Sequence, residues 1–219
     1  MPKFILPLRP RWRPPLLKEL SLTPVNISDM KNQGGETSME KIIRGNIWKR
    51  EIVNTADIIS TEVWLENLNS LDSNTLGKHA MEPIDKDFAK KAMCGQFNII
   101  ISGKNFGGGG KSYEHGVIAL KAVGIRLVIA ESFSRYNFRN SINNGLPVLE
   151  CAGIFNATDE NDELEVNLQT GAIKNLTRKN VLQTKPLPDF IFEILQAGSY
   201  TKYTRQRLAC KTIKLKERT

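Results

Sequence analysis

Residues 103–115, GKNFGGGGKSYEH, hold the groups in this chain best suited to chemistry. Gly107, Gly108, Gly109 and Gly110 leave bare backbone between an apolar run and a helical pattern, and amides in such a turn converge on an anion. Lys111 and Ser112 end the run, and a lysine beside four glycines has no obvious packing duty. Two kinds of anion suit the segment: a nucleotide phosphate, or the carboxylate of a small acid.

Spacing separates the two. A phosphate loop reads G-x-x-x-x-G-K-[ST]; the first glycine makes the tight turn and the lysine reaches the terminal phosphates. Gly110-Lys111-Ser112 satisfies the end of that pattern, but Asn105 stands where the first glycine belongs. The later apolar runs end at Ala130-Glu131 and Leu149-Glu150, without a magnesium-binding Asp. The carboxylate reading is preferred, with a non-catalytic phosphate- or nucleotide-binding module as the alternative from another class.

A parallel sheet is expected to carry the turn. Residues 97–102 (FNIIIS) form a continuous apolar run bounded by Gly95 and Gly103, which suits a strand buried on both faces. A helix over 112–123 follows and stops at Gly124, then a strand over 125–130, a helix over 133–144 stopped by Gly145, and a strand over 146–149. That is a βαβαβ rhythm, whose ligands sit outside the carboxyl ends of the strands. Upstream, 41–49 and 55–61 read as short strands, 66–74 as a polar loop, and 76–93 as helical fragments interrupted by Pro83. Downstream come an acidic turn at 159–163, a hairpin of 164–168 with 171–176, and a helix from Pro188 to Gln196. The fold class is α/β, a mixed β/β/α architecture whose parallel centre is flanked by antiparallel strands.

The net charge of +8 lies at the two ends. Residues 1–38 carry +3 and residues 200–219 carry +6, leaving −1 for 39–199. A nearly neutral body argues against nucleic acid as a partner, because such a surface must neutralise many phosphates. No apolar run of about 18 residues exists, so no membrane span is expected. Three widely spaced cysteines, Cys94, Cys151 and Cys210, make no C-x-x-C pair and suit a reducing, cytoplasmic setting without a metal site built by this chain alone. Residues 1–38 hold six of the ten prolines and read as a disordered extension, or as sequence upstream of a true start at Met39. Prolines 14 and 15 disfavour the amphipathic helix of a transit peptide. The folded body is expected over 39–208, and 209–219 as a basic tail.

From about residue 39 to 208 the chain resembles the family of 3-isopropylmalate dehydratase small subunits, the swivelling domain of the aconitase superfamily. The likeness is carried by Gly103-Lys104-Asn105-Phe106-Gly107, by Glu114-His115 with 118–121, by Ser132-Phe133-Ser134-Arg135 with Arg139-Asn140 and 143–147, and by 185–190. It implies a hydro-lyase that isomerises 2- and 3-isopropylmalate by dehydration and rehydration in leucine synthesis. It also implies a [4Fe-4S] cluster acting as Lewis acid on a separate large subunit, the partner without which this chain is inactive. The family pattern here is G-x-G-S-S-R-E-H, with a base serine and a carboxylate-gripping arginine. Anchored on Glu114-His115, Lys111 stands at the base position, Ser112 at the second serine and Tyr113 at the arginine. The resemblance thus implies Lys111 and Ser112 as the catalytic pair, and Gly108, Gly109, Gly110, Tyr113 and Arg135 as substrate contacts. Lys111 serves either as a point charge on the carboxylate or, if desolvated, as a base. Asn54-Thr55-Ala56-Asp57 also departs from the usual D-T-D, and 61–74 falls where relatives read the substrate side chain. A homoaconitase-like or dimethylmalate dehydratase-like enzyme for another substituted malate is therefore an open alternative.

The remaining residues have ordinary readings. His115 is expected to bond backbone or Glu114 at a helix start, and His79 to lie at the surface. Arg135 and Arg139, four apart on one helix face, reach the substrate or subunit interface or else make salt bridges. Trp48 and Trp64 are expected as core or interface anchors.

Overall fold

The computed structural model describes residues 41–110 and 113–216, with side chains of the last helix as far as Ala209. The expected extension 1–38, Lys111 and Ser112, residues 217–219 of the proposed tail and its side chains from Cys210 on lie outside what is described. Seven strands form one sheet in the order β4-β3-β2-β1-β5-β6-β7. They are β1 (Ile42–Arg50), β2 (Ile99–Ser102), β3 (Leu127–Ala130), β4 (Val148–Glu150), β5 (Glu163–Asn167), β6 (Ala172–Asn175) and β7 (Asn180–Gln183).

Strand β1 joins the two halves of the sheet. Its first half runs antiparallel to β5, with Ile43 opposite Val166, and its second half parallel to β2, with Ile47 opposite Ile99. β2, β3 and β4 continue in parallel, with Ile101 opposite Ile129 and Ile129 opposite Leu149. Nine described helices connect the strands: α1 (Thr55–Ile58), α2 (Thr61–Glu66), α3 (Ser73–Lys78), α4 (Phe88–Met93), α5 (Glu114–Ala122), α6 (Arg135–Asn143), α7 (Ile154–Ala157), α8 (Asp189–Gln196) and α9 (Tyr200–Lys216). The expected βαβαβ centre is β2-α5-β3-α6-β4.

The pleat divides the core. Trp48, Ile100, Val128 and Val148 pack with Phe88, Val117, Leu120 and Ile142 from the crossover helices. Their sequence neighbours Ile47, Ile99, Ile101, Leu127, Ile129 and Leu149 point the other way and pack with Ile154, Leu164, Val166 and Phe192. Both faces of the parallel strands are covered, which is why their sequences are apolar without alternation.

Three expectations need correction. Residues 55–61 are not a strand but the turns of α1 and the start of α2. The Asn54 N–H donates to Asp57 Oδ2 at 2.7 Å, and Ser60 Oγ accepts from the Val63 N–H at 3.2 Å. These caps outweigh the strand propensity of the Ile and Thr residues. Strand β7 and helix α7 were not foreseen. Helix α9 begins at Tyr200 and crosses the expected boundary at 208–209.

The carboxyl ends of β1 to β4 open on one edge. There the chain segments 51–54, 103–110, 131–134 and 151–153 lie.

Candidate active site

The glycine turn is shaped by its neighbours. Asn105 takes a left-handed conformation (φ +60°), and its N–H donates to Ser132 Oγ at 2.9 Å. The Phe106 N–H donates to the Ser132 carbonyl at 2.9 Å and its own carbonyl accepts from the Ser134 N–H at 3.0 Å. This buries the Phe106 ring edge-on to Phe133, with centroids 5.6 Å apart. One short stretch of β2–α5 loop is thereby sewn to the β3–α6 loop.

Gly107 and Gly108 are then tied to the segment after β1. The Gly107 N–H donates to the Val53 carbonyl at 2.8 Å, and the Gly108 carbonyl accepts from the Thr55 N–H at 2.9 Å. Thr55 Oγ1 lies 2.8 Å from the Gly107 carbonyl and 3.0 Å from that of Gly108, sharing its one hydrogen between them. Ser134 Oγ donates to the same Gly107 carbonyl at 2.7 Å. A side chain at Gly107 is excluded, since a Cβ there would lie 2.4 Å from the Asn137 side chain.

Gly109 and Gly110 differ. Both are exposed, with φ of +96° and +78°, and neither N–H finds an acceptor among the described residues. They form one wall of a cleft of about 350 Å³ whose opposite wall is 133–136. Arg135 is the first residue of α6, its side chain exposed and in no ion pair among the described residues. Two amides that bond no described residue, an arginine and the first turn of α6 thus line one small cavity, a setting that suits a carboxylate.

The outgoing limb of the turn is anchored elsewhere. Tyr113 stacks on Trp64, with ring centroids 4.2 Å apart and planes 18° off parallel. The Glu114 carboxylate accepts from Asn144 Nδ2 at 3.1 Å. His115 is buried and its Nε2–H donates to the Asn67 carbonyl at 3.0 Å, leaving Nδ1 buried with no partner among the described residues.

The structure therefore gathers Gly108, Gly109, Gly110 and Arg135 around one cleft. Tyr113 does not line it. His115 bonds backbone, as expected of a helix-start residue, through the carbonyl of Asn67 and not through Glu114. His79 is half-buried and pairs with Glu82 at 2.6 Å. Arg139 is exposed and in no ion pair among the described residues. Trp48 is a core anchor whose Nε1–H reaches Asp85 Oδ2 at 3.3 Å. Thr55, Asn105, Ser132 and Ser134, which hold the turn in place, were not singled out for that work. Thr55 gave no local signal, lying 52 residues from the carbonyl it binds.

No group of three or more His, Cys, Asp or Glu that would hold a metal ion occurs among the described residues. Cys94 is exposed and Cys151 buried, both unpaired. Burial and then the nearby Glu131 push the Cys151 thiol above its ordinary value, opposite to what a metal-ligating thiolate needs. These residues do not fit an iron–sulfur cluster. Among the described residues no helix is long and apolar enough to cross a membrane.

Comparison with known proteins agrees with this architecture. The family described as "Aconitase C-terminal domain" matches residues 31–153. The "Isopropylmalate/citramalate isomerase small subunit" of Methanocaldococcus jannaschii is 45% identical over 172 residues, 78% of this chain and 98% of that protein. The "3-isopropylmalate dehydratase small subunit" of Thermodesulfovibrio yellowstonii is 42% identical over 173 residues, 78% of this chain and 99% of that protein. A crystal structure of 3-isopropylmalate dehydratase from M. jannaschii superposes with a TM-score of 0.70 at 33% identity, covering 79% of this chain and 99% of the other. Matched along more than half its length by that domain, and along nearly the whole length of these relatives, the chain belongs to the aconitase C-terminal domain family, in its branch of 3-isopropylmalate dehydratase small subunits.

Proposed function

We propose that this chain is the small subunit of a dicarboxylate hydro-lyase that isomerises isopropylmalate and works only when joined to a large subunit. The observation that carries this reading is the cleft lined by Gly109, Gly110 and Arg135, in a chain of this family. The [4Fe-4S] cluster, which supplies Lewis-acid chemistry at the substrate hydroxyl, is assigned to the large subunit. This chain's own work is to bind and orient. The two amides and Arg135 hold one substrate carboxylate and stabilise the charge that builds on it as the adjacent C–H loses its proton. Lys111 and Ser112, next in sequence to Gly110, are assigned to that proton. The unpaired thiols of Cys94 and Cys151 suit the reducing cytoplasm.

A second reading, a site that also takes a smaller malate such as citramalate, draws support from the name of the M. jannaschii relative. The test is co-expression with a candidate large subunit and anaerobic assay of isopropylmalate, citramalate, dimethylmalate and homocitrate. Turnover of isopropylmalate is expected, and Lys111→Ala or Ser112→Ala is expected to lower kcat about 100-fold or more. A complex inactive on all four acids refutes the functional reading. Full activity in both variants refutes the roles given to Lys111 and Ser112.

A further inference from the structure

A second cavity, of about 600 Å³, lies at the carboxyl ends of β3 and β4, between α6 and the linker 184–188 that leads from β7 into α8. Its apolar lining comes from Phe138, Val148, Leu149, Leu187 and Ile191. The buried Cys151 thiol, kept protonated by burial and by the nearby Glu131, adds to it. Two groups of opposite charge also line the space, the half-buried Glu131 at the end of β3 and the exposed Lys185 on the linker. Neither is in an ion pair among the described residues. A volume of this size, mostly apolar with a few polar groups, is the usual make-up of a small-molecule site.

The cavity adjoins the wall of the candidate active-site cleft. Phe133 lines that cleft, and two residues of the second cavity hold it. The Phe133 ring packs edge-on to Phe138, with centroids 5.9 Å apart, and the Phe133 N–H donates to Glu150 Oε1 at 3.3 Å. Its ring also meets that of Phe106, in the loop that carries the glycine turn. The Glu150 carbonyl accepts from Thr184 Oγ1, which ties the linker to β4.

We propose that this cavity is a second ligand site, for a small zwitterion with an apolar body such as a free α-amino acid, and that its occupant acts on the cleft through Phe133. The apolar body lies against Phe138, Val148 and Ile191, the ammonium pairs with Glu131 and the carboxylate with Lys185. A ligand with only one of the two charges leaves one of these residues without a counter-ion, whereas a zwitterion serves both. An occupant that displaces Phe138 or Glu150 moves the two supports of Phe133, and with them a wall of the cleft. By linkage the ligands of the two cavities then change each other's affinity by the same factor.

The effect on the cleft rests on the functional reading above, whereas the site itself does not, and the test separates the two. Titration calorimetry is run on the full-length chain, alone and joined to its large subunit, with valine, leucine, methionine and phenylalanine. For each, the acid lacking the amino group and the amine lacking the carboxylate are titrated alongside. At least one amino acid is expected to bind saturably, about tenfold more tightly than its own acid or amine. Glu131→Gln should weaken it about tenfold and the exposed Lys185→Gln about threefold, while Arg135→Gln, in the cleft, leaves it unchanged. In the active complex that amino acid should shift the KM for isopropylmalate about threefold or more and then reach a plateau. No saturable binding of any of the four to either form, or equal binding of the acid or the amine, overturns the site and its ligand class. A KM that climbs without a plateau marks competition at the cleft and overturns the second site. Binding with KM and kcat both unchanged overturns the link through Phe133. A wild-type complex inactive on every substrate acid defeats the functional reading, and calorimetry still decides whether the cavity takes the zwitterion.

Discussion

Gly107→Ala tests the packing of the turn most directly. Two costs add at this position. A left-handed φ of +69° costs a non-glycine residue about 1–2 kcal/mol. The new Cβ would also fall 2.4 Å from Asn137 Cγ and 2.5 Å from Asn137 Cβ, on a buried residue of α6, an overlap of the kind that costs about 1–3 kcal/mol to relieve. The sum is about 2–5 kcal/mol, a large part of the stability of a domain this size. Gly110→Ala is the control: its φ is also left-handed, at +78°, but none of the described residues beyond its chain neighbours lies within 4 Å of the added carbon. It should cost only the conformational part, about 1–2 kcal/mol. Urea unfolding of both variants, with unchanged m-values, measures the difference. Because the Asn137 Cβ is itself too close, adding Asn137→Ala should not rescue Gly107→Ala. Equal losses in the two glycine variants, or rescue by Asn137→Ala, would refute the argument from steric contact.

Two further outcomes are expected. Thr55→Val removes the hydroxyl shared by the Gly107 and Gly108 carbonyls, yet each keeps another donor, Ser134 Oγ and the Thr55 N–H. The loss should be only about 1 kcal/mol by urea unfolding, and a loss above about 3 kcal/mol would show that the hydroxyl does more than these contacts account for. Burial raises the Asp85 carboxyl, but donors from Lys91, the Asp87 N–H and Trp48 outweigh it and hold the group below its ordinary value of 3.8. A depressed folded value means that the ionised carboxylate stabilises the fold above that pH and that this support is lost as pH falls further. Asp85→Asn should therefore lower the melting temperature at pH 7 and flatten its fall below about pH 4. An acid limb as steep as that of the wild type would refute the assignment.

The parallel centre was legible because it is written locally. Residues 97–102 and 125–130 are apolar without alternation, each ends near a glycine or a helix signal, and strands buried on both faces leave that mark. The segment 55–61 was misread for the opposite reason. Its Ile and Thr residues favour a strand, whereas Asn54, Asp57 and Ser60 cap helical turns, and caps are decided by a few hydrogen bonds that propensity does not weigh. Asn105 carries a similar lesson. It breaks a phosphate-loop spacing, yet it takes the left-handed conformation that asparagine tolerates and turns the chain where a glycine would. The spacing therefore argues less against a nucleotide than family membership does.

The sequence by itself determined the fold class, the place of the glycine turn at the carboxyl end of a parallel strand, and the family that the turn's flanks resemble. All three rest on patterns of a dozen residues or fewer. Tertiary structure alone decided that Arg135 shares a cleft with Gly109 and Gly110, and that Tyr113 stacks on Trp64 and does not line that cleft. Those outcomes depend on contacts between Thr55 and Gly107 or Trp64 and Tyr113, residues about fifty positions apart. Such pairs meet only in the folded sheet, so no local pattern records them.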